Sequence, residues 1–95
     1  MKEIQWNAEK NVWLKQKRKI GFEDISAAIV DGNLLGTVCH PNKEKYPHQK
    51  IFLVKIGNYL YVVPFVEDSQ KIFLKTIIPS RKATRDYLIR KKKIV

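Results

Sequence analysis

The residues best placed to do chemistry follow Pro79-Ser80, where a β-rich run ends and a helix is expected to begin. Ser80 is a good N-cap, and a proline disfavours helix in the residue before it. Arg81 and Lys82 then fill the first turn. A helix N-terminus already carries partial positive charge and N–H groups without partners, so two cations there work against the helix. A phosphate would resolve that conflict, because the N–H groups, the dipole and a guanidinium all stabilise it. Arg85 lies one turn further on the Arg81 side and joins the same cluster. Lys15, Arg18 and Lys19 form a second group of cations three and four residues apart, with mutual repulsion that an anion would relieve. Arg90-Lys91-Lys92-Lys93 is a third, with the character of non-specific electrostatics.

His40 and His48 bracket the polar stretch Pro41-Asn42-Lys43-Glu44-Lys45-Tyr46-Pro47. Histidine titrates near neutral pH and is the natural proton carrier there. Cleavage of RNA needs little more: the 2′-hydroxyl loses its proton and attacks the adjacent phosphate in line, and the 5′-oxygen leaves with a proton. Positive groups hold the charge that builds on the phosphate. His48 precedes the run that starts at Lys50 and is the candidate proton carrier. Around the two histidines only Glu44 stands at ligand spacing, so neither a metal site nor any other cofactor is expected. Glu23 and Asp24 read as helix starters and not as a catalytic pair.

These side chains sit on a chain of 95 residues, enough for one domain spanning 1–95. Nineteen Lys and Arg against nine Asp and Glu give a formal net charge of +10, which attracts polyanions. Nucleic acid is the expected partner. The most apolar stretch, Ile51 to Val66, contains Lys55, Gly57-Asn58 and Pro64, so no membrane span is expected. The start of the chain has no signal-peptide core, and Cys39 is the single cysteine. Both fit a reducing, cytoplasmic setting, with Cys39 read as a buried small side chain.

The elements that must position the candidates follow from local rules. Ile4 to Trp6 reads as a short strand or extended lead. Asn7 caps a helix to about Lys17, with Val12, Trp13 and Leu14 as its apolar side. Phe22, Ile25, Ala28 and Ile29 recur at helical spacing up to a stop at Gly32. Leu34 to Cys39 reads as a strand. Lys50 to Ile56 and Tyr59 to Val66 form a hairpin around Gly57-Asn58, with Pro64 marking an edge or a bulge. Lys71 to Ile78 reads as the last strand, and Arg81 to about Lys92 as the last helix, with Asp86 and Arg90 as an i,i+4 pair. Tyr59, Tyr61, Phe65 and Phe73 read as core, and Tyr46 as exposed. The expected fold is α+β: two N-terminal helices, an antiparallel sheet of three to four strands and a C-terminal helix, with the helices on one sheet face.

Three segments resemble the BrnT family, the toxin components of bacterial type II toxin–antitoxin pairs. Trp6-Asn7-Ala8-Glu9-Lys10-Asn11 is similar to the family's opening. Lys17-Arg18-Lys19-Ile20-Gly21-Phe22-Glu23-Asp24 is similar to its Lys-His-Gly, apolar, small, Phe-Glu-Glu segment. Ile77-Ile78-Pro79-Ser80-Arg81-Lys82-Ala83-Thr84 is similar to its Ile-Ile-Ser-Ala-Arg-basic-Ala-Thr. Arg18 stands where the family has His, Lys19 where it has Gly, Pro79-Ser80 where it has Ser-Ala, and Lys75-Thr76 where an Arg is usual. The resemblance implies a RelE-like fold and a metal-independent endoribonuclease that stops translation. It also implies a cognate antitoxin, often of ribbon-helix-helix type, with DNA bound only through that complex. The residues it singles out are Lys17, Arg18, Lys50, Arg81, Lys82 and Arg85, with Lys75 beside them. On this reading Arg81 and Lys50 grip the scissile phosphate, Arg85 steadies the transition state, His48 moves the proton, and Lys15, Lys17, Arg18, Lys19, Lys75 and Lys82 bind RNA. The rival readings are a non-catalytic nucleic-acid binder or repressor partner, and a basic module for an acidic protein.

Overall fold

The computed structural model describes residues 2–39 and 41–89. Strand β1 (Glu3–Trp6) leads into helices α1 (Ala8–Arg18) and α2 (Phe22–Val30). Strands β2 (Leu34–Cys39), β3 (Lys50–Ile56), β4 (Tyr59–Glu67), β5 (Lys71–Leu74) and β6 (Ile78–Pro79) follow. The described chain ends in α3 (Arg81–Thr84), which continues as a π-helical turn, Arg85–Ile89. His40, and the Arg90 to Lys93 run with its Asp86–Arg90 pair, involve positions outside the described residues.

Each boundary has a local cause. Asn7 caps α1 by accepting from the Lys10 N–H at 2.9 Å. The Asp24 carboxylate closes the start of α2 by accepting from the Gly21 N–H at 2.9 Å. The end of α2 turns through Gly32 at φ 85°, and the Asn33 N–H reaches back to the Ala28 carbonyl at 2.8 Å. Gly57, at φ 63°, makes the tight β3–β4 turn that Gly-Asn promised.

Alternation along the strands sends Phe52, Val54, Val63, Phe65 and Leu74 to one face, where they pack with Leu14, Phe22 and Ile25 of the two N-terminal helices. Phe52 and Phe65 stack with ring centroids 3.7 Å apart. Leu60 and Leu53 alternate onto the other face, are also buried, and lie outside that cluster, as does Ala83 of α3. The helix α3 contacts β4, so it covers the second face at this end. The expectation that all helices share one face is corrected accordingly.

The fold is α+β, but the sheet is mixed and has six strands, in the order β1-β5-β4-β3-β2 with β6 also on β4. The antiparallel expectation fails at β1, which pairs parallel with β5, Ile4 opposite Ile72. Such a pairing requires a long crossover, which α1 to β4 supplies. The expected single strand from Lys71 to Ile78 is also corrected. Phe65 pairs with Leu74 and Val62 with Ile78, so three steps along β4 face four along the other segment. Pro64 explains the slip. Its carbonyl accepts from the Lys75 N–H at 2.8 Å, but proline has no N–H to return that bond. The facing segment therefore bulges through residues 75–77 before pairing resumes. Cys39 is exposed at the end of β2, not buried as expected.

Candidate nucleic-acid interface

The bulge brings two of the basic motifs together. Arg18, the last residue of α1, donates from its guanidinium to the main-chain carbonyl of Ile77, a short contact across 59 residues of sequence. That carbonyl lies between β5 and β6, in the stretch where the ladder has slipped. Four residues later comes Arg81, so its Cα lies at most about 14 Å from the Ile77 Cα whose carbonyl holds the Arg18 guanidinium. Arginine has five N–H donors in a rigid fork, so one bond to Ile77 leaves capacity for an anion.

A second network fixes the start of α3. The Ser80 hydroxyl accepts from the Ala83 N–H at 3.0 Å. Thr84, buried, donates from Oγ1 to the Ser80 carbonyl at 2.8 Å and accepts from the Leu60 N–H at 2.8 Å. The Ser80 N–H donates to the Leu60 carbonyl at 3.0 Å. Arg81, Lys82 and Arg85 therefore project from an anchored turn, and all are exposed. Among the described residues, Arg81 and Lys82 form no ion pair with a carboxylate, and Arg85 meets only its neighbour Asp86, at 3.8 Å. The expected helix-dipole site for phosphate is corrected. The α-helical part of α3 is four residues long and its Ala83 N–H is already capped, so the backbone adds little field. Attraction for an anion here comes from the side chains.

The remaining candidates separate. Lys15 pairs with Glu23 at 2.9 Å, and Glu23 also accepts from the Asn11 amide at 2.9 Å. The Asn11 bond first, and then Lys15, hold the Glu23 carboxyl at about 2. Lys15 is thus committed to joining α1 to α2. Lys17 and Lys19 are exposed at the end of α1, and Lys19 adopts a left-handed backbone at φ 58°. Lys75 is exposed at the start of the bulge, with Nζ 5.6 Å from the Phe73 ring.

His48 and Lys50 do not join Arg81. Lys50 lies opposite Phe65, whereas Ser80 is bonded to Leu60. Five steps along β4 separate these levels, about 17 Å along the strand. Lys50 instead donates to Glu67 at 3.2 Å, and Lys2 donates to the same carboxylate at 2.9 Å. Lys2 foremost, with Lys50, holds the Glu67 carboxyl below its ordinary range. The expected grip of Arg81 and Lys50 on one phosphate is corrected by this register, and exposed His48 stays at the Lys50 end.

Two residues of α1 are misplaced by sequence reasoning. Trp13 is 40% exposed and Val12 55% exposed, although both were assigned to the apolar side of α1. Of the three expected apolar residues the helix buries Leu14, with Asn11 three residues before it on the same face, which turns Trp13 out by about 100°. Lys10 Nζ stands 4.3 Å and Arg18 Cζ 5.6 Å from the Trp13 ring centroid. The flanking cations Lys10, Lys15, Lys17 and Arg18 were the available signal.

Clefts of about 240 Å³ beside Asp24, Asp31 and Lys55, and of about 130 Å³ beside Glu67 and Phe73, lie away from this junction. Among the described residues no group of three or more His, Cys, Asp or Glu is placed to hold a metal ion, and no helix is long and apolar enough to cross a membrane. Compared with family models, curated proteins and solved structures, the chain matches none.

Proposed function

We propose that this chain is the toxin of a type II toxin–antitoxin pair, a metal-independent endoribonuclease of RelE-like fold that grips RNA at the junction of α1, the bulge and α3. The observation that carries the reading is the Arg18–Ile77 bond. It joins the two segments on which the BrnT resemblance chiefly rests, Lys17 to Asp24 and Ile77 to Thr84. Exposed Arg81, Lys82 and Arg85 add cations with little internal neutralisation. A bulge beside such a cluster is a common way to aim functional groups.

The chemistry follows from charge. Arg81 and Arg18 hold the phosphate, and Arg85 meets the negative charge that develops as the 2′-oxygen attacks and the 5′-oxygen departs. His48 lies too far away to carry the proton, so water takes it from the 2′-hydroxyl and returns one to the leaving oxygen. The products are a 2′,3′-cyclic phosphate and a 5′-hydroxyl. A net charge of +10 suits an acidic antitoxin, through which alone the pair would meet DNA, in the cytoplasm.

A second reading, an RNA binder that does not cut, is favoured by the separation of His48 and Lys50 from Arg81. One experiment decides. Single-stranded RNA is incubated with the protein in excess chelator, and the parent is compared with Arg81→Ala. Cyclic-phosphate ends from the parent, slowed about 100–1,000-fold by the substitution, support the nuclease. Retained but intact RNA supports the binder. Cutting by Arg81→Ala at the parental rate removes the junction from the mechanism.

A further inference from the structure

We propose that Trp13 is a stacking platform for one unpaired base of the bound RNA, with Arg18 on the phosphate beside that base. The inference rests on the RNA-binding reading above and narrows its substrate to single-stranded RNA.

The contrast between the two tryptophans supports it. Trp6 is half-buried, with its ring stacked on Phe22 at 5.7 Å between centroids. Trp13 is 40% exposed, with Lys10 and Arg18 over its ring. An indole left in water forfeits the burial that normally justifies so large a side chain. A base restores it without requiring an apolar partner, because every base presents a π-face. The cations choose among occupants: an apolar protein surface would have to desolvate Lys10 and Arg18 over the ring, whereas a nucleotide brings the opposite charge with its base and its phosphate draws the flexible Lys10 ammonium off the face the base needs.

Placement makes the platform part of the junction. The Arg18 guanidinium is 5.6 Å from the Trp13 centroid and is held by the Ile77 carbonyl. Its position is therefore set before RNA arrives, which lowers the ordering cost of binding. The distance is on the scale of the gap between a base and the phosphate of its own nucleotide. The strand then continues toward Arg81. In a duplex both faces of each base are covered by neighbours, so only an unpaired base can reach the ring.

The test uses 2′-O-methyl oligonucleotides, which cannot be cut, as a single strand and as a duplex of equal length. Trp13→Ala is expected to weaken single-strand binding about tenfold to a hundredfold, to change duplex binding less than threefold, and to leave the salt dependence unaltered, since stacking releases no counterions. The parent's tryptophan emission should be quenched by the single strand and not by the duplex. That quenching should vanish in Trp13→Phe, where Trp6 alone emits while the strand still binds. Single-strand binding by a folded Trp13→Ala at parental strength overturns the platform. So does quenching that persists in Trp13→Phe, a reading that stands even if the alanine variant fails to fold. If the parent binds both oligonucleotides while Trp13→Ala equals it, stacking alone falls; if the parent binds neither, the RNA-binding reading falls with it.

Discussion

Both ends of β4 carry cations and treat them oppositely. At the Glu67 end, Lys2 and Lys50 converge on one carboxylate, at 2.9 and 3.2 Å. Nearer mid-strand Arg18 bonds an uncharged carbonyl, and at the Leu60 end Arg81 and Lys82 meet no carboxylate among the described residues. Several of the nine acids are committed elsewhere. Glu23 takes Lys15 and Asn11, Asp24 closes the start of α2, and Asp68 accepts from the Gln70 and Lys71 N–H groups of a turn. A chain at +10 has cations everywhere, so their number marks nothing. The placement of acids distinguishes a structural pair from a surface that keeps its field.

The strongest way to break this comparison is to treat both ends alike. Arg81→Ala should slow RNA cleavage by about 100–1,000-fold, the loss typical of a group that stabilises transition-state charge. Lys50→Ala and His48→Ala should each change it less than threefold, because Lys50 sits about 17 Å along β4 from the level of Ser80 beside Arg81, and His48 lies beyond Lys50. Rates measured in chelator on one RNA, with circular dichroism to confirm folding, settle the matter. Equal losses at both ends would mean that the RNA spans the sheet and that the contrast in neutralisation has no functional meaning.

The elements were largely legible in the sequence because their causes are local. Asn7, Gly32, Gly57 and Ser80 each act within a few residues, and β2 and β3 run as the pattern indicates. The candidate site was legible only as two separate basic segments. Their meeting depends on the missing N–H of Pro64, which shifts the register of the strand that follows and leaves the Ile77 carbonyl, 59 residues from Arg18 in sequence, for its guanidinium. The expectation of an edge or bulge at Pro64 noted the defect and not its consequence on the facing strand. The parallel β1–β5 pairing was hidden for the same reason, since four residues of β1 carry no sign of their partner. Trp13 was misread because a run of three apolar residues, Val12 to Leu14, occupies three directions on a helix and only one of them meets the core.

A smaller effect tests whether the junction is anchored as the hydrogen bonds imply. Thr84→Val keeps the shape of the side chain but removes the acceptor for the Leu60 N–H and the donor to Ser80. Leaving that buried N–H without a partner costs about 1–3 kcal/mol, a fall in Tm of about 4–8 °C for each kcal/mol in a domain this size. Thr84→Ser should recover most of it. Removing both the Lys2 and Lys50 ion pairs with Glu67→Gln should cost less, because exposed pairs contribute only about 0–1 kcal/mol each. A valine variant as stable as the parent would show that α3 is held by packing alone, and the junction would lose its anchor.

The finest discrimination concerns Lys19, the C-cap of α1, at φ 58° and ψ 28°. A left-handed backbone suits glycine, and a residue with a Cβ is strained there. The BrnT resemblance expects glycine at this position. Lys19→Gly should therefore relieve strain and raise stability by about 0.5–1 kcal/mol, read as a higher Tm, with the entropy of a freer unfolded chain limiting the gain. If Lys19 belongs to the RNA-binding end, the same substitution should also weaken binding and flatten the slope of log affinity against log salt by about 0.7, the value of one phosphate contact on a single strand. A gain in stability with an unchanged salt slope would keep Lys19 outside the interface and draw its border at Arg18. A loss in stability would show that the lysine's own contacts outweigh the backbone strain, and a left-handed cap would then say nothing about which end of the sheet gives up stability to hold charge.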